Sequence, residues 1–348
     1  MTIRVRPYTC ADSAAWDAFV MACPEATFFH RIGWRRVLQD AFGHETHFLL
    51  AEEADDGDVP KIVGVLPLAQ VRSRLFGNTL ASLPFCVYGG IAATNQAAAL
   101  ALRESACALA HELNVDALEL RNIEPSGSGW PVKSLYYRFR RPIDADNDIN
   151  LKAIPNKQRA MVRKGIGSGL VSEEDTGTRR LYRVYAESVR NLGTPVFSRR
   201  YLDVLRQEFG EDCRVLMIVD KGEDVAGVMS FYFRDEVLPY YGGSVARARA
   251  IKGCNDVMYW ELMRRSADEG LNVFDFGRSK HNTGSYSFKR NWGFEPEALA
   301  YEYYLVASDR MPDVNPTNPK YRLLIDAWRR LPLPLANLIG PTLARSLG

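Results

Sequence analysis

The sequence lacks the residue clusters by which several enzyme classes are recognised. It has five histidines, of which only His44 and His47 lie close together, with no HExxH and no Cys/His cluster. Metal-assisted hydrolysis therefore has no legible ligand set. The six cysteines (Cys10, Cys23, Cys86, Cys107, Cys213, Cys254) include no CxxC and form no even framework. They fit a reducing compartment, mostly as small buried residues. No GxSxG is present, and neither Cys213 nor Cys254 has a histidine nearby in sequence, so a serine or cysteine triad is unsupported. Asp275-Phe276-Gly277 spells DFG without a glycine-rich loop or HRD, which excludes a kinase. No GxGxxG opens a strand-to-helix turn, against dinucleotide binding. Charge of one sign is also missing: 44 basic residues face 42 acidic ones, a net +2, so any basic site must be local. No apolar run reaches the ~20 residues that span a bilayer. The opening MTIRVRPYTCADSAAW has no signal-peptide core. The expectation is a soluble, cytoplasmic protein.

What is present is length and repetition. The 348 residues, 47% hydrophobic and 25% charged, leave room for two domains. Trp34, Leu38 and Phe42-Gly43 are echoed by Tyr201, Leu205 and Phe209-Gly210. HFLLAEE and RVLMIVD follow, then IVGVLPLAQV and VAGVMSFYF, then Tyr88-Gly89-Gly90 and Tyr241-Gly242-Gly243. A helix comes next in each copy (97–112, 255–269), then a strand with a central acid, Glu119 or Asp275. This order predicts two copies of one α/β unit, each a mixed sheet flanked by helices, with hairpin turns at 53–61 and 220–225. The helix before the last strand implies a crossover to a parallel neighbour. Glycines within a strand suggest a bulge or a backbone approached closely by a ligand.

The stretch 271–294, LNVFDFGRSKHNTGSYSFKRNWGF, concentrates the candidate chemistry. Asp275 sits within a short apolar strand; Arg278, Ser279 and Lys280 follow at its exit, where α/β folds place ligands. Asn282 to Ser285 reads as a helix start, and Tyr286, Phe288 and Lys289 follow on that helix. A second candidate is the turn ARARAIKGCND (246–256). It brings Arg247, Arg249, Lys252 and Gly253 to a helix N-terminus capped by Asn255 or Asp256, a ready anion site. The matching turn of the first copy, IAATNQAAAL, has no basic residue, so ligand binding is expected in the second copy. Between the copies, Lys152, Lys157, Arg159, Arg163 and Lys164 occur with no acid among them, on a helix opened by Pro155 and closed by Gly165 to Gly169. This run is either a solvated face or a clamp for a phosphorylated or nucleic-acid substrate. After a Pro/Asn-rich linker (SDRMPDVNPTNP), Tyr321, Leu324, Ile325 and Trp328 form one stripe of a basic helix, either docked on the body or lying at a membrane surface.

The hairpin, glycine-bearing strand, turn into a helix and helix ending in Trp-Gly-Phe resemble the Gcn5-related N-acetyltransferase (GNAT) fold. Two copies in tandem, with PNKQRAMVRKGIGSGL entering the second, resemble the Fem family of aminoacyl-tRNA-dependent peptidyltransferases. The closest likeness is to Fem-like proteins of exosortase/PEP-CTERM exopolysaccharide systems. It rests on FHRIGWRRVL, the two Tyr-Gly-Gly and FDFGRSKHNTGSYSFKRNWGF, over about residues 20–345. The resemblance implies acyl or aminoacyl transfer to an amine of a cell-envelope or exopolysaccharide precursor, without metal or redox cofactor. The co-substrate stays open between acyl-CoA and aminoacyl-tRNA. It places a first acyltransferase-like domain at 1–140, a second with the donor site at 141–307, and the linker and tail helix at 308–348. The expected catalytic residues are Asp275, Arg278, Lys289 and Tyr241 (or Tyr240). The expected donor site comprises Gly242, Gly243, Arg249, Lys252, Gly253, Asn255, Ser279, Tyr286, Lys157, Arg159 and Arg163. The expected partners are a small-molecule or lipid-linked precursor and tRNA, with 320–348 as a candidate peripheral membrane contact. The competing reading is a non-catalytic membrane-peripheral assembly factor on the same duplicated fold.

Overall fold

The computed structural model describes residues 2–54, 60–73, 76–312 and 319–347. The centre of the hairpin turn expected at 53–61, the last part of the Pro/Asn-rich linker and the Tyr321 side chain lie outside the described residues. The chain forms two compact units. One comprises 1–135, 298–314 and 345–348, the other 136–297 and 315–344.

The first unit carries strands β1 (Thr2–Pro7), β2 (Glu45–Thr46), β3 (Leu49–Ala54), β4 (Lys61–Leu66), β5 (Leu68–Ser73), β6 (Gly77–Ser82), β7 (Ala92–Ala93), β8 (Ala117–Asn122) and β9 (Val132–Lys133). Its helices are α1 (Ser13–Ala22), α2 (Gly33–Phe42) and α3 (Gln96–Glu112). The second unit carries β10 (Tyr136–Pro142), β11 (Val171–Asp175), β12 (Cys213–Asp220), β13 (Glu223–Phe233), β14 (Glu236–Ser244), β15 (Val273–Lys280) and β16 (Pro296–Ala298). Its helices are α4 (Asn147–Ala153), α5 (Asn156–Ile166), α6 (Arg179–Leu192), α7 (Arg199–Phe209), α8 (Cys254–Asp268), α9 (Gly284–Asn291), α10 (Pro319–Arg330) and α11 (Leu333–Ala344). Strand β17 (Ala300–Leu305) pairs with β8, so the chain returns to the first unit.

In the second unit one seven-stranded sheet runs β11-β12-β13-β14-β15-β10-β16. Strands β14 and β15 are parallel, joined through α8, as the crossover reading requires. Valines, isoleucines and leucines of β12 and β13, with Met258, Trp260, Phe276 and Trp292, make its core. The first unit repeats the element order, with β6 and β8 parallel around α3, but its sheet is broken. The run IVGVLPLAQV is not one strand. Pro67 interrupts it, and β4 and β5 pair into separate four- and six-stranded sheets. A proline supplies no N–H to carry a ladder through.

The two Tyr-Gly-Gly triplets are not equivalent. Gly227 pairs with Gly243 and Val228 with Gly242. The matching Gly64 and Val65 pair with Ala93 and Ala92. Tyr88-Gly89-Gly90 instead lies in the loop between β6 and β7. That loop takes left-handed backbone at Leu83 and Phe85 (φ 60° and 69°). Buried Arg121 holds it by donating to the Leu83 and Cys86 carbonyls at 3.1 and 2.8 Å. The Tyr301 hydroxyl donates to the Val87 carbonyl at 2.6 Å, and the Gly90 amide to the Arg121 carbonyl at 3.2 Å. In this unit the space beyond the β6–β8 ladder is thus occupied by the chain itself.

Candidate functional site

The corresponding space in the second unit is not filled in this way. Strands β14 and β15 pair only at Glu236–Val273 and Val237–Phe274, although β14 continues to Ser244 and β15 to Lys280. Two local features end the ladder. On β14, Pro239 lacks the N–H a continuing ladder needs, and the register with β13 slips between Met229 and Ser230, leaving Tyr240 as a bulge. On β15, Gly277 is left-handed (φ 65°), and the register with β10 slips across Phe139. A bulge re-aims side chains and is common beside active sites. The result is a gap bounded by residues 239–244 on one strand and 275–280 on the other.

Asp275 is buried, and its Oδ1 accepts the Gly277 amide at 2.6 Å, fixing the bulge. Register places it beside Arg140, which donates to Glu236 Oε2 at 2.7 Å. Burial, then the Asp275 charge, pushes the Glu236 carboxyl up to about 7 against the pull of Arg140. Arg278 lies with its guanidinium 4.2 Å over the Tyr136 ring. The Ser279 hydroxyl is buried and finds no hydrogen-bond partner among the described residues; neither does that of Ser230, across the ladder from Pro239. Orphaned buried hydroxyls beside a gap are the kind of group a ligand or water satisfies.

Lys289 faces inward from α9, whose cap is Thr283, as the turn chemistry predicts. Its Nζ donates to the Gly277 and Arg278 carbonyls at 3.3 and 3.0 Å, so it pins the β15 bulge. Burial drives its pKa down from 10.5 to about 7, with Asp275 opposing and Arg278 adding to the fall. Above about 7 the folded chain lacks a proton that the unfolded chain keeps up to 10.5. Stability should therefore rise with pH across that window, the burden being full below 7, by an order of a few kcal/mol. Lys289→Met should flatten this rise. Melting curves between pH 6 and 10 with the same slope in both proteins would refute a buried, depressed lysine.

Tyr241 is buried, with its hydroxyl 2.6 Å from that of Tyr201 on α7. Burial and the neighbouring phenols hold its proton well above the ordinary tyrosine range. Gly242 and Gly243 are approached by helices: an added Cβ would lie 3.2 Å from the Tyr259 hydroxyl and 2.8 Å from Ser188 Cβ respectively. Packing thus accounts for both glycines. Tyr286 is buried edge-on to Phe139 and Tyr137.

The basic turn differs in detail from expectation. The cap of α8 is Gly253, left-handed at φ 79°, and not Asn255 or Asp256. Arg249, Lys252 and Asn255 are exposed, and Arg247 pairs with Glu223 and Asp220. Gly253 is buried against α5, where an added Cβ would meet the Met161 carbonyl at 2.3 Å. Helix α5 is capped by Pro155, with Lys157, Arg163 and Lys164 exposed and Arg159 turned back on the Lys152 carbonyl. The structure thus brings the α5 basic face to the start of α8. The residue that ties these parts together is read from the sequence only as a candidate helix cap. Asp256 is buried and accepts from Gln158 of α5 and from Trp292 Nε1, the latter at 3.1 Å. An acid inside the apolar pattern of α8 was the available signal.

Residues 152–290 match the family model of the GNAT acetyltransferase domain. Over that segment the chain is similar to GNAT acetyltransferase domains, and as a whole it shares its fold with the tandem structures that follow. FemX matches with a TM-score of 0.66 at 15% identity, covering 92% of this chain and 100% of its own. The C-terminal domain of an Agrobacterium fabrum protein named as a putative lysylphosphatidylglycerol synthetase gives 0.56 at 13%, covering 84% and 91%. A tandem GNAT protein from the clavulanic acid biosynthesis pathway gives 0.54 at 12%, covering 89% and 100%. No curated protein matches the chain.

Proposed function

We propose that the protein transfers an acyl or aminoacyl group to an amine of a cell-envelope or exopolysaccharide precursor, with the donor in the β14–β15 gap of the second unit. The observation that carries this reading is the gap itself: a two-residue parallel ladder opening between two bulged strands, beside Ser279, whose buried hydroxyl has no partner among the described residues. Support comes from the GNAT match over this segment and from a neighbour named for lysylphosphatidylglycerol synthesis. The reaction joins an amine nitrogen to a carbonyl carbon through an oxyanion and expels a thiolate or ribose oxygen. It asks the protein mainly for orientation and charge stabilisation. In this proposal the Tyr240–Gly243 backbone receives the carbonyl and Asp275 orients the amine. Arg278 meets donor phosphate, and Tyr240 serves the leaving group. Lys289 holds the β15 bulge. Acyl-CoA and charged tRNA are both made inside the cell, so the proposed reaction is a cytoplasmic one.

Thermal shift with acetyl-CoA, longer acyl-CoA and charged tRNA tests the reading. A rise with one donor is expected, and no rise with any supports the assembly factor. If Lys157, Arg159, Arg163 and Lys164 hold the donor, changing all four to Ala should weaken its binding at least tenfold and flatten the salt dependence. Unchanged affinity would make the α5 face a solvated one.

A further inference from the structure

Helix α11 packs inside out. Its sequence LPLANLIGPTLA carries no charge, and the residues it buries are the small ones, Ala336, Gly340 and Ala344, spaced four apart. Gly340 sits on Val196, whose carbonyl oxygen would lie 3.0 Å from an added Cβ. The large side chains point outward: Leu338 is 75% exposed, Leu335 43% and Ile339 37%. Helix α10 extends the same habit. It docks through buried Trp328 and through Ile325, which lies 2.5 Å from where a Gly193 Cβ would be. Leu323 and Leu324 are left 82% and 66% exposed, so the expected stripe of Leu324, Ile325 and Trp328 is divided between docking and solvent. At the end of α6, Leu192 is 63% exposed, and its carbonyl accepts from Arg329 at 3.3 Å.

A helix that buries alanine and glycine while exposing leucine leaves its apolar face for something else to cover. Charge says what. Residues 319–348 contain Lys320, Arg322, Arg329, Arg330 and Arg345 against one acid, Asp326, which pairs with Arg329 at 3.3 Å. We propose that the α10–α11 face docks on an anionic membrane surface. The leucines enter the boundary between headgroups and acyl chains, and Arg330 lies among lipid phosphates. No described helix is long and apolar enough to cross the bilayer, so this is attachment from one side. The proposal does not depend on the transfer chemistry.

The test is co-sedimentation of the full chain with phosphatidylglycerol/phosphatidylcholine vesicles and with phosphatidylcholine alone. Wild type should pellet with the anionic vesicles, and Leu335→Glu/Leu338→Glu should lower partitioning at least tenfold with unchanged melting, because both side chains are already exposed. The Leu338→Trp variant should add a blue-shifted component to the wild-type emission on the same vesicles. Equal binding by the double variant, no preference for anionic vesicles, or no blue-shifted component from Leu338→Trp would overturn the proposal. So would a dimer in sedimentation equilibrium that Leu338→Glu dissociates, with no vesicle binding: a second copy would then be the cover.

Discussion

Asp275→Asn should lower the transfer rate about 100- to 10,000-fold while the protein still folds. The asparagine oxygen can still accept the Gly277 amide, so the bulge persists, and what is lost is the charge within the gap. Arg278→Ala should raise the donor KM more than it lowers kcat. Its guanidinium rests on Tyr136, a contact worth about 1 kcal/mol, and melting of the variant is measured beside its kinetics. Arg72→Ala is the matched control: its pair with Glu45 in the first unit is exposed at 3.4 Å. Glu119→Gln would be a poor one, because Glu119 is buried and bonded to Arg121 at 2.9 Å. Breaking such a pair costs roughly 3 to 5 kcal/mol. Full activity in both Asp275→Asn and Arg278→Ala would remove the reaction from this gap.

The largest effect on stability is expected at the α5–α8 junction. Gly253→Ala puts a side chain into left-handed backbone and, at 2.3 Å, into the Met161 carbonyl. Strain and overlap together should cost roughly 3 kcal/mol or more. Gly165→Ala tests the same junction from the other helix, since its Cβ would meet Val257 Cγ2 at 2.3 Å and the Gly253 carbonyl at 2.6 Å. Because α5 carries the basic face, either variant should also weaken donor binding. Melting within about a degree of wild type for both would mean that the helices do not interlock.

These two sites differ in how far the sequence discloses them. Local chemistry was legible: Pro155 and the glycines after Lys164 bound α5, Thr283 caps α9, and the order of strands and helices repeats. The exit of β15 could be read as a site because an acid, basic residues and a glycine crowd one short strand. Long-range contact was not legible. The Tyr-Gly-Gly pair looked equivalent because spacing is visible and register is not. The first triplet is displaced into a loop whose shape depends on Arg121, more than thirty residues away. Lys289 and Tyr241 read as reactive groups, whereas their partners, two main-chain carbonyls and Tyr201, became visible only in three dimensions. Within the 320–348 segment read as a candidate membrane contact, the faces of α11 were not legible because its composition is simply apolar. Only the fold shows which of its faces is turned outward.

The most direct test of the central claim is amide hydrogen exchange with and without a non-transferable acyl-CoA or aminoacyl-tRNA analogue. Donor binding should protect residues 240–244 of β14 and 275–280 of β15, with little change at 77–93 and 117–122 of the first unit. Protection confined to the first unit, or none in either strand at saturating donor, would contradict a donor site in the β14–β15 gap.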